Sequence, residues 1–268
     1  MALDVKEIFP WGILGCGWLG QGLCADLTQD HIPVWGSART EKTKAAIAAS
    51  GGTPISFDTA LPILEQSTWP KSKTLLVSWP PSAGATAYQH AVNCAKTHAE
   101  WTILISSTSV YPGEAGTYSE NDAVRRVSPH SGECLLDIEG LFDPTRTTIL
   151  RAGGLFGPHR NPKHFLRGRA PQRLTEAVNM VHLDDVVRAI RFSAEHRIPG
   201  AFNVVAPKTV TREVFYHAAG ALPELKHSQV EPEGRRVSSQ KITDSGFSFQ
   251  HPDPAHACRE MQRDLPPT

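Results

Sequence analysis

No run of apolar residues in this 268-residue sequence approaches the length that crosses a bilayer, which argues against a transmembrane helix. An excess of charge is also lacking. Lys and Arg number 27, as do Asp and Glu, so no global field draws the chain onto nucleic acid or an acidic membrane. The five cysteines (Cys16, Cys24, Cys94, Cys134 and Cys258) form neither a CxxC pair nor a Cys/His cluster at zinc-ligand spacing. Reduced thiols, no metal and a cytoplasmic location are therefore expected. The opening MALDVKEIFP carries acidic residues and turns directly into a strand, leaving no place for the apolar core of a signal peptide. A GxSxG nucleophile elbow is missing as well, which sets aside a serine hydrolase of that type. What remains is a small-molecule substrate, with no nucleic acid and no membrane as partner, for a monomer or homodimer.

Hydrophobic residues make up 40% of the chain, enough for a proper core. Short apolar runs at Ile8 to Leu14, Ile32 to Gly36, Thr53 to Phe57, Thr74 to Ser78, Thr102 to Ser106, Thr148 to Arg151 and Phe202 to Val205 read as strands. Segments of helical spacing separate them. Leu19, Leu23 and Leu27 recur every four residues, and Tyr88 to His98 and Asp184 to Glu195 follow the same rule. Alternating strands and helices of this kind predict an α/β fold, a Rossmann-type doubly wound parallel sheet with a smaller mixed α/β C-terminal part that binds substrate. Beyond Tyr111 glycines and prolines shorten the elements, so residues 1–110 are read as the nucleotide half and 111–268 as completion of the sheet plus an interleaved substrate part.

Chemistry first appears at Gly15-Cys16-Gly17-Trp18-Leu19-Gly20, between the first strand and the first helix. Gly15 permits a tight turn, Gly17 lets the backbone approach a pyrophosphate and Gly20 lets the helix press on the strand, leaving the helix N-terminus aimed at the phosphates. An ordinary strand-to-helix turn, with Trp18 and Leu19 as packing, is the competing reading. At the end of the second strand, where NAD-preferring proteins carry a carboxylate for the ribose, this chain has Ser37-Ala38-Arg39-Thr40. Ser37 can donate to a 2′-phosphate and Arg39 can hold it as a permanent planar cation, which favours NADP with NAD as the alternative. Arg39 can equally be a solvated surface residue beside Lys42 and Lys44. Asp58 either meets the adenine edge or caps a helix, and Ser78-Trp79-Pro80-Pro81 ends the fourth strand close to where the cofactor would pass.

Hydroxyls end the fifth strand in Ser106-Ser107-Thr108-Ser109-Val110-Tyr111-Pro112, placing donors at the carboxyl edge of a parallel sheet. This segment closely resembles the SS-x-x-VYG stretch of the extended short-chain dehydrogenase/reductases, the NAD-dependent epimerase/dehydratase family. Leu150-Arg151 through Gly157-Pro158-His159-Arg160 is similar to that family's LR-x-x-x-x-YGPGR, and Asn179-Met180-Val181-His182-Leu183-Asp184-Asp185-Val186 to its N-x-IH-x-DDV. The glycine spacing departs from the usual GxxGxxG and matches an atypical branch, similar to the bacterial YeeZ-like proteins. The resemblance implies an oxidoreductase or epimerase acting on a small hydroxyl or carbonyl compound, free or nucleotide-linked. It places Ser107 at the family's catalytic Ser/Thr and Arg151, Arg160 and Asn179 along the substrate. The family's Tyr-x-x-x-Lys is absent: His130 and Cys134 stand near those positions. His130 can take over proton transfer, since imidazole titrates near neutrality. Tyr111 can donate its phenol proton or simply pack on Pro112. Otherwise the chain has kept the scaffold as a non-catalytic dinucleotide sensor or interaction protein. Asp184 reads as a helix N-cap, with His182 hydrogen-bonded at the same corner.

Overall fold

A computed structural model describes residues 8–57, 69–127, 134–226 and 230–263. Strand β1 (Ile8–Leu14) leads into helix α1 (Trp18–Gln29), followed by β2 (Val34–Ala38), α2 (Glu41–Ala49) and β3 (Thr53–Ser56). Next come β4 (Lys71–Val77), α3 (Gly84–His98), β5 (Ala99–Ser107), β6 (Gly116–Tyr118) and α4 (Leu135–Glu139). The chain continues through β7 (Thr147–Ala152), β8 (Gly154–Phe156), β9 (Met180–His182), α5 (Leu183–His196) and β10 (Gly200–Val204). It finishes with α6 (Arg212–Ala218), β11 (Arg235–Val237), α7 (Gln240–Asp244) and α8 (Pro254–Arg263).

Seven strands form one parallel sheet in the order β10-β7-β5-β4-β1-β2-β3, the doubly wound order expected of a Rossmann fold. From β1 the chain winds outward to β3 and then returns to β4 on the other side of β1. That reversal is the switch point, where parallel sheets bind ligands at their carboxyl ends. The strands read as near-continuous apolar runs because helices cover both faces of such a sheet. Ile13, Leu14, Leu75, Leu76, Val77, Ile103 and Leu104 are all buried. Against them α1 buries Leu19, Leu23 and Leu27 together with Gly20 and Cys24, one face of a 3.6-residue repeat.

Each of the seven strands lies where the apolar runs place it, with shifts at the ends. β2 begins at Val34 rather than Ile32, because the Ile32 N–H is taken by the Leu27 carbonyl at 2.9 Å to close the last turn of α1. β4 starts earlier than expected, at Lys71, since its first residues alternate exposed and buried and so lack a continuous apolar run. The short strands β6, β8, β9 and β11 have no such run either. They pair as two parallel ribbons, β11 with β6 and β8 with β9.

The chain divides into two compact units. The first takes the chain through Ser106, then Arg125–Leu150 and Ile190–Ala201; the second takes Ser107–Val124, Arg151–Ala189 and the remainder from Phe202. In the second unit Phe156, Val210, Phe215, Ala218, Ala255, Ala257 and Cys258 make a core in which α6 and α8 meet. Among the described residues no helix is long and apolar enough to cross a membrane.

Candidate dinucleotide site

The turn after β1 is fixed by the ends of its two neighbours in the sheet. From β2 the Ser37 hydroxyl accepts the Gly15 N–H at 2.9 Å, and at the end of β4 the Ser78 hydroxyl donates to the Gly15 carbonyl at 2.8 Å. Gly15 itself has φ +87°, and a Cβ there would stand 2.6 Å from Cδ1 of Trp79, so only glycine fits. Gly17 is the contrast: a Cβ built on it meets nothing within 4 Å. It is the N-cap of α1, where no side chain caps the helix and no carboxylate occupies the first turn. The first N–H groups of a helix have no intrahelical partner, and its dipole is positive at this end. An anion over Gly17 would be met by the positive end of the helix. Leu19 is buried beneath the turn and Trp18, half-buried, opens the helix. Gly20 presses on the strand, since a Cβ there would lie 3.0 Å from the Gly15 carbonyl oxygen.

A cleft of about 220 Å³ opens on this turn, lined by Gly15, Gly17, Ser37, Arg39, Thr43 and Trp79 among others. Ser37 is almost wholly buried and its oxygen is engaged by Gly15, so it acts first as a clamp on the turn. Arg39 is exposed on the rim and makes no ion pair among the described residues. Lys44, by contrast, is held by Glu41 at 2.7 Å. Thr40 caps α2 by accepting the Thr43 N–H at 3.2 Å, which places both threonines beside Arg39. Phe57 and Trp79 stack with ring centroids 5.0 Å apart, giving the cleft an aromatic wall that the sequence reading did not include. Aromatic residues at the ends of β3 and β4 were the available signal. The Cys16 thiol faces inward, and burial pushes it up to about 12, so it stays protonated and inert. Asp58 and His130 lie outside the described residues.

At the end of β5 the two serines part. Ser106 is buried and donates to the Glu139 carboxylate at 2.6 Å, while Ser107 accepts from the Ser109 N–H at 3.2 Å and pairs with its hydroxyl at 3.1 Å. In the second unit Tyr111 is wholly buried, donating to Asn203 Oδ1 at 2.6 Å and accepting from Arg151 at 3.1 Å. Arg151 also donates to the Glu120 carbonyl at 2.8 Å. Burial pushes the Tyr111 phenol above its ordinary range, and Arg151 only partly offsets this. Whatever the ring packs on, its hydroxyl is tied into a polar network. Asn179 spends both ends of its amide on β11, donating to the Arg235 carbonyl at 2.9 Å and accepting the Val237 N–H at 2.8 Å. Arg160 is exposed on a tight loop where its N–H meets the Gly157 carbonyl at 3.0 Å. Cys134 is half-buried at the start of α4.

One local expectation is corrected. The helix α5 begins at Leu183, so Asp184 lies inside its first turn and is not the N-cap. His182 takes that task, its Nδ1 accepting the Asp184 N–H at 3.3 Å. Asp185, fully buried, accepts the Gln250 and His251 N–H groups at 2.6 and 3.0 Å and so ties the C-terminal segment to this corner.

A strand, glycine turn and uncapped helix at the switch point of a doubly wound sheet define a Rossmann-type protein, and solved structures share the fold over nearly the whole chain. UDP-glucuronic acid 4-epimerase of Bacillus cereus, in complex with NAD, matches at TM-score 0.70 and 17% identity over 94% of either chain. Gre2 of Candida albicans, in complex with NADPH, matches at TM-score 0.69 and 12% identity over 93% of this chain and 96% of that one. Family-profile models give no match. Among curated proteins, YeeZ of Escherichia coli K12 is 30% identical over 90% of this chain and 96% of its own. The chain belongs to the YeeZ family.

Proposed function

We propose that the protein binds a nicotinamide dinucleotide, NADP(H) before NAD(H), and acts as an oxidoreductase or epimerase on a small hydroxyl or carbonyl compound. One observation carries the binding half: the N-cap of α1 is a glycine with no side-chain cap bond, and a Cβ built on Gly17 meets nothing within 4 Å. Such a helix end suits a pyrophosphate. Arg39, on the rim and in no ion pair among the described residues, is then the residue for a 2′-phosphate, with Thr40 and Thr43 beside it. The cleft, at about 220 Å³, is below the roughly 300–1,000 Å³ of whole ligand pockets and so accounts for the phosphate and ribose end alone. Solved relatives of the fold carry NAD in one case and NADPH in another. When bound, the nicotinamide supplies hydride transfer, and the protein supplies position and proton handling.

Proton handling is where this chain differs from the short-chain dehydrogenases it resembles. It has no Tyr-x-x-x-Lys anywhere, and Tyr111, Arg151 and Asn179 are engaged in holding their own unit together. Ser107, at the end of β5, and His130 are then the candidates for catalysis, and Arg160 is the candidate for an anionic substrate group. The same engagement favours a second reading, a dinucleotide-binding sensor without turnover.

Titration with NADPH and NADH, followed by nicotinamide absorbance with a panel of carbonyl compounds, separates these readings. NADPH bound more tightly than NADH, with turnover lost in Ser107→Ala or His130→Ala, is the expected result. Tight binding without turnover over a broad panel leaves the sensor. Binding of neither dinucleotide at millimolar concentration overturns both.

A further inference from the structure

Far apart in sequence, three potential metal ligands converge within the second unit. His182 ends β9, Asp184 lies in the first turn of α5, and His251 precedes α8. The Asp184 carboxylate oxygen is 3.4 Å from Nδ1 of His182 and 3.4 Å from Nε2 of His251, and all three ligand atoms lie within 4.8 Å of one another. The imidazole centroids are 4.2 Å apart.

The hydrogen bonds at this corner are long. Nδ1 of His182 accepts the Asp184 N–H at 3.3 Å, a contact that a metal on the same nitrogen would replace. The ring nitrogens of His251 face two carboxylates, Nε2 that of Asp184 at 3.4 Å and Nδ1 that of Glu260 at 3.8 Å. Two imidazoles and a carboxylate are thus gathered around one point, the donor set of a cation site.

We propose that His182, Asp184 and His251 form a divalent-metal site suited to Zn²⁺, with Glu260 as the outer carboxylate that orients His251. Zinc bonds nitrogen and oxygen at about 2.0–2.2 Å, so the corners of its tetrahedron stand about 3.3–3.5 Å apart. Both nitrogen-to-carboxylate distances here match that edge. A carboxylate on the far nitrogen is also the usual support for a metal-binding histidine. Asp185 holds His251 in place beforehand through its two backbone hydrogen bonds. The site is reached past Asp184, whose side chain is 46% exposed, while His182 forms its buried floor against Phe156. Three protein ligands leave a fourth position open to water or a ligand atom. Sequence spacing could not disclose this, because no ligand pair falls in a zinc-type motif.

A proton is the rival occupant, since Asp184 raises the His251 imidazole above its ordinary range. The tag-free, chelator-treated full chain titrated with Zn²⁺ alone, and separately with Co²⁺ alone, distinguishes the two. One Zn²⁺ per chain at submicromolar Kd, with tetrahedral ligand-field bands from Co²⁺, is the expected result. His251→Asn and Asp184→Asn are each expected to weaken Zn²⁺ binding by about 100-fold, and Glu260→Gln by about 10-fold. His182 is buried and its replacement risks the fold, so it is not needed for the test. Less than one Zn²⁺ bound at micromolar concentration, or equal binding by wild type and His251→Asn, overturns the site.

Discussion

Gly15 and Gly17 stand two residues apart, yet their substitution has opposite expected effects. Alanine at Gly15 must adopt a left-handed backbone and meet Trp79, so we expect Gly15→Ala to destabilise the fold by about 2 kcal/mol or more in urea titration. Alanine at Gly17 meets nothing and has an ordinary backbone, with φ −82°. Its Tm should stay close to wild type while its methyl group stands where phosphate would approach, so NADPH affinity should fall at least 10-fold. Equal NADPH affinity in Gly17→Ala would show that the turn does not hold the phosphates. Arg39→Ala should weaken NADPH by about 10- to 100-fold, the worth of one or two hydrogen bonds to a charged group, and leave NADH nearly unchanged. Isothermal titration with both nucleotides tests that selectivity. All three positions were legible as residue types in sequence. What could not be read there is that Ser37 serves the turn as its clamp, because a serine hydroxyl accepts as readily as it donates.

Among the elements, the sheet was legible because its strands are buried on both faces and so appear as apolar runs. The two ribbons were not, since each strand in them has only three residues, too few for an apolar run to show. Asn179 holds β11 and Asn203 holds the Tyr111 network, and no periodicity announces either. These bonds give the second unit an internal polar frame. Tyr111→Phe removes a buried hydroxyl that both donates and accepts, leaving Asn203 Oδ1 without its partner at 2.6 Å. A cost of about 1–3 kcal/mol is expected in chemical denaturation. Cofactor affinity should not change, and a loss of affinity larger than the loss of stability would return Tyr111 to the candidate site.

For the whole molecule, the thiols report on how well the interior is sealed. Burial pushes Cys16, Cys94 and Cys258 up to about 12 from an ordinary 9.0. The folded state therefore keeps protons that the unfolded chain releases, and this contribution to stability is complete below pH 9 and declines as pH rises towards 12. A urea midpoint that falls steadily from pH 9 upward is the expected profile, and a flat one would mean that the thiols are not sealed. At neutral pH a thiol reagent should label Cys134 quickly and the four buried cysteines only after unfolding. The division of the chain has a further consequence, for synthesis rather than stability. The first unit needs Ile190–Ala201, which the ribosome delivers only after most of the second unit's middle stretch, and the second needs everything from Phe202. Five of the seven strands of the sheet lie within the first 107 residues and pair with one another, so the sheet can start to form early in synthesis, whereas β7 and β10 at its edge join only once the later segments have emerged.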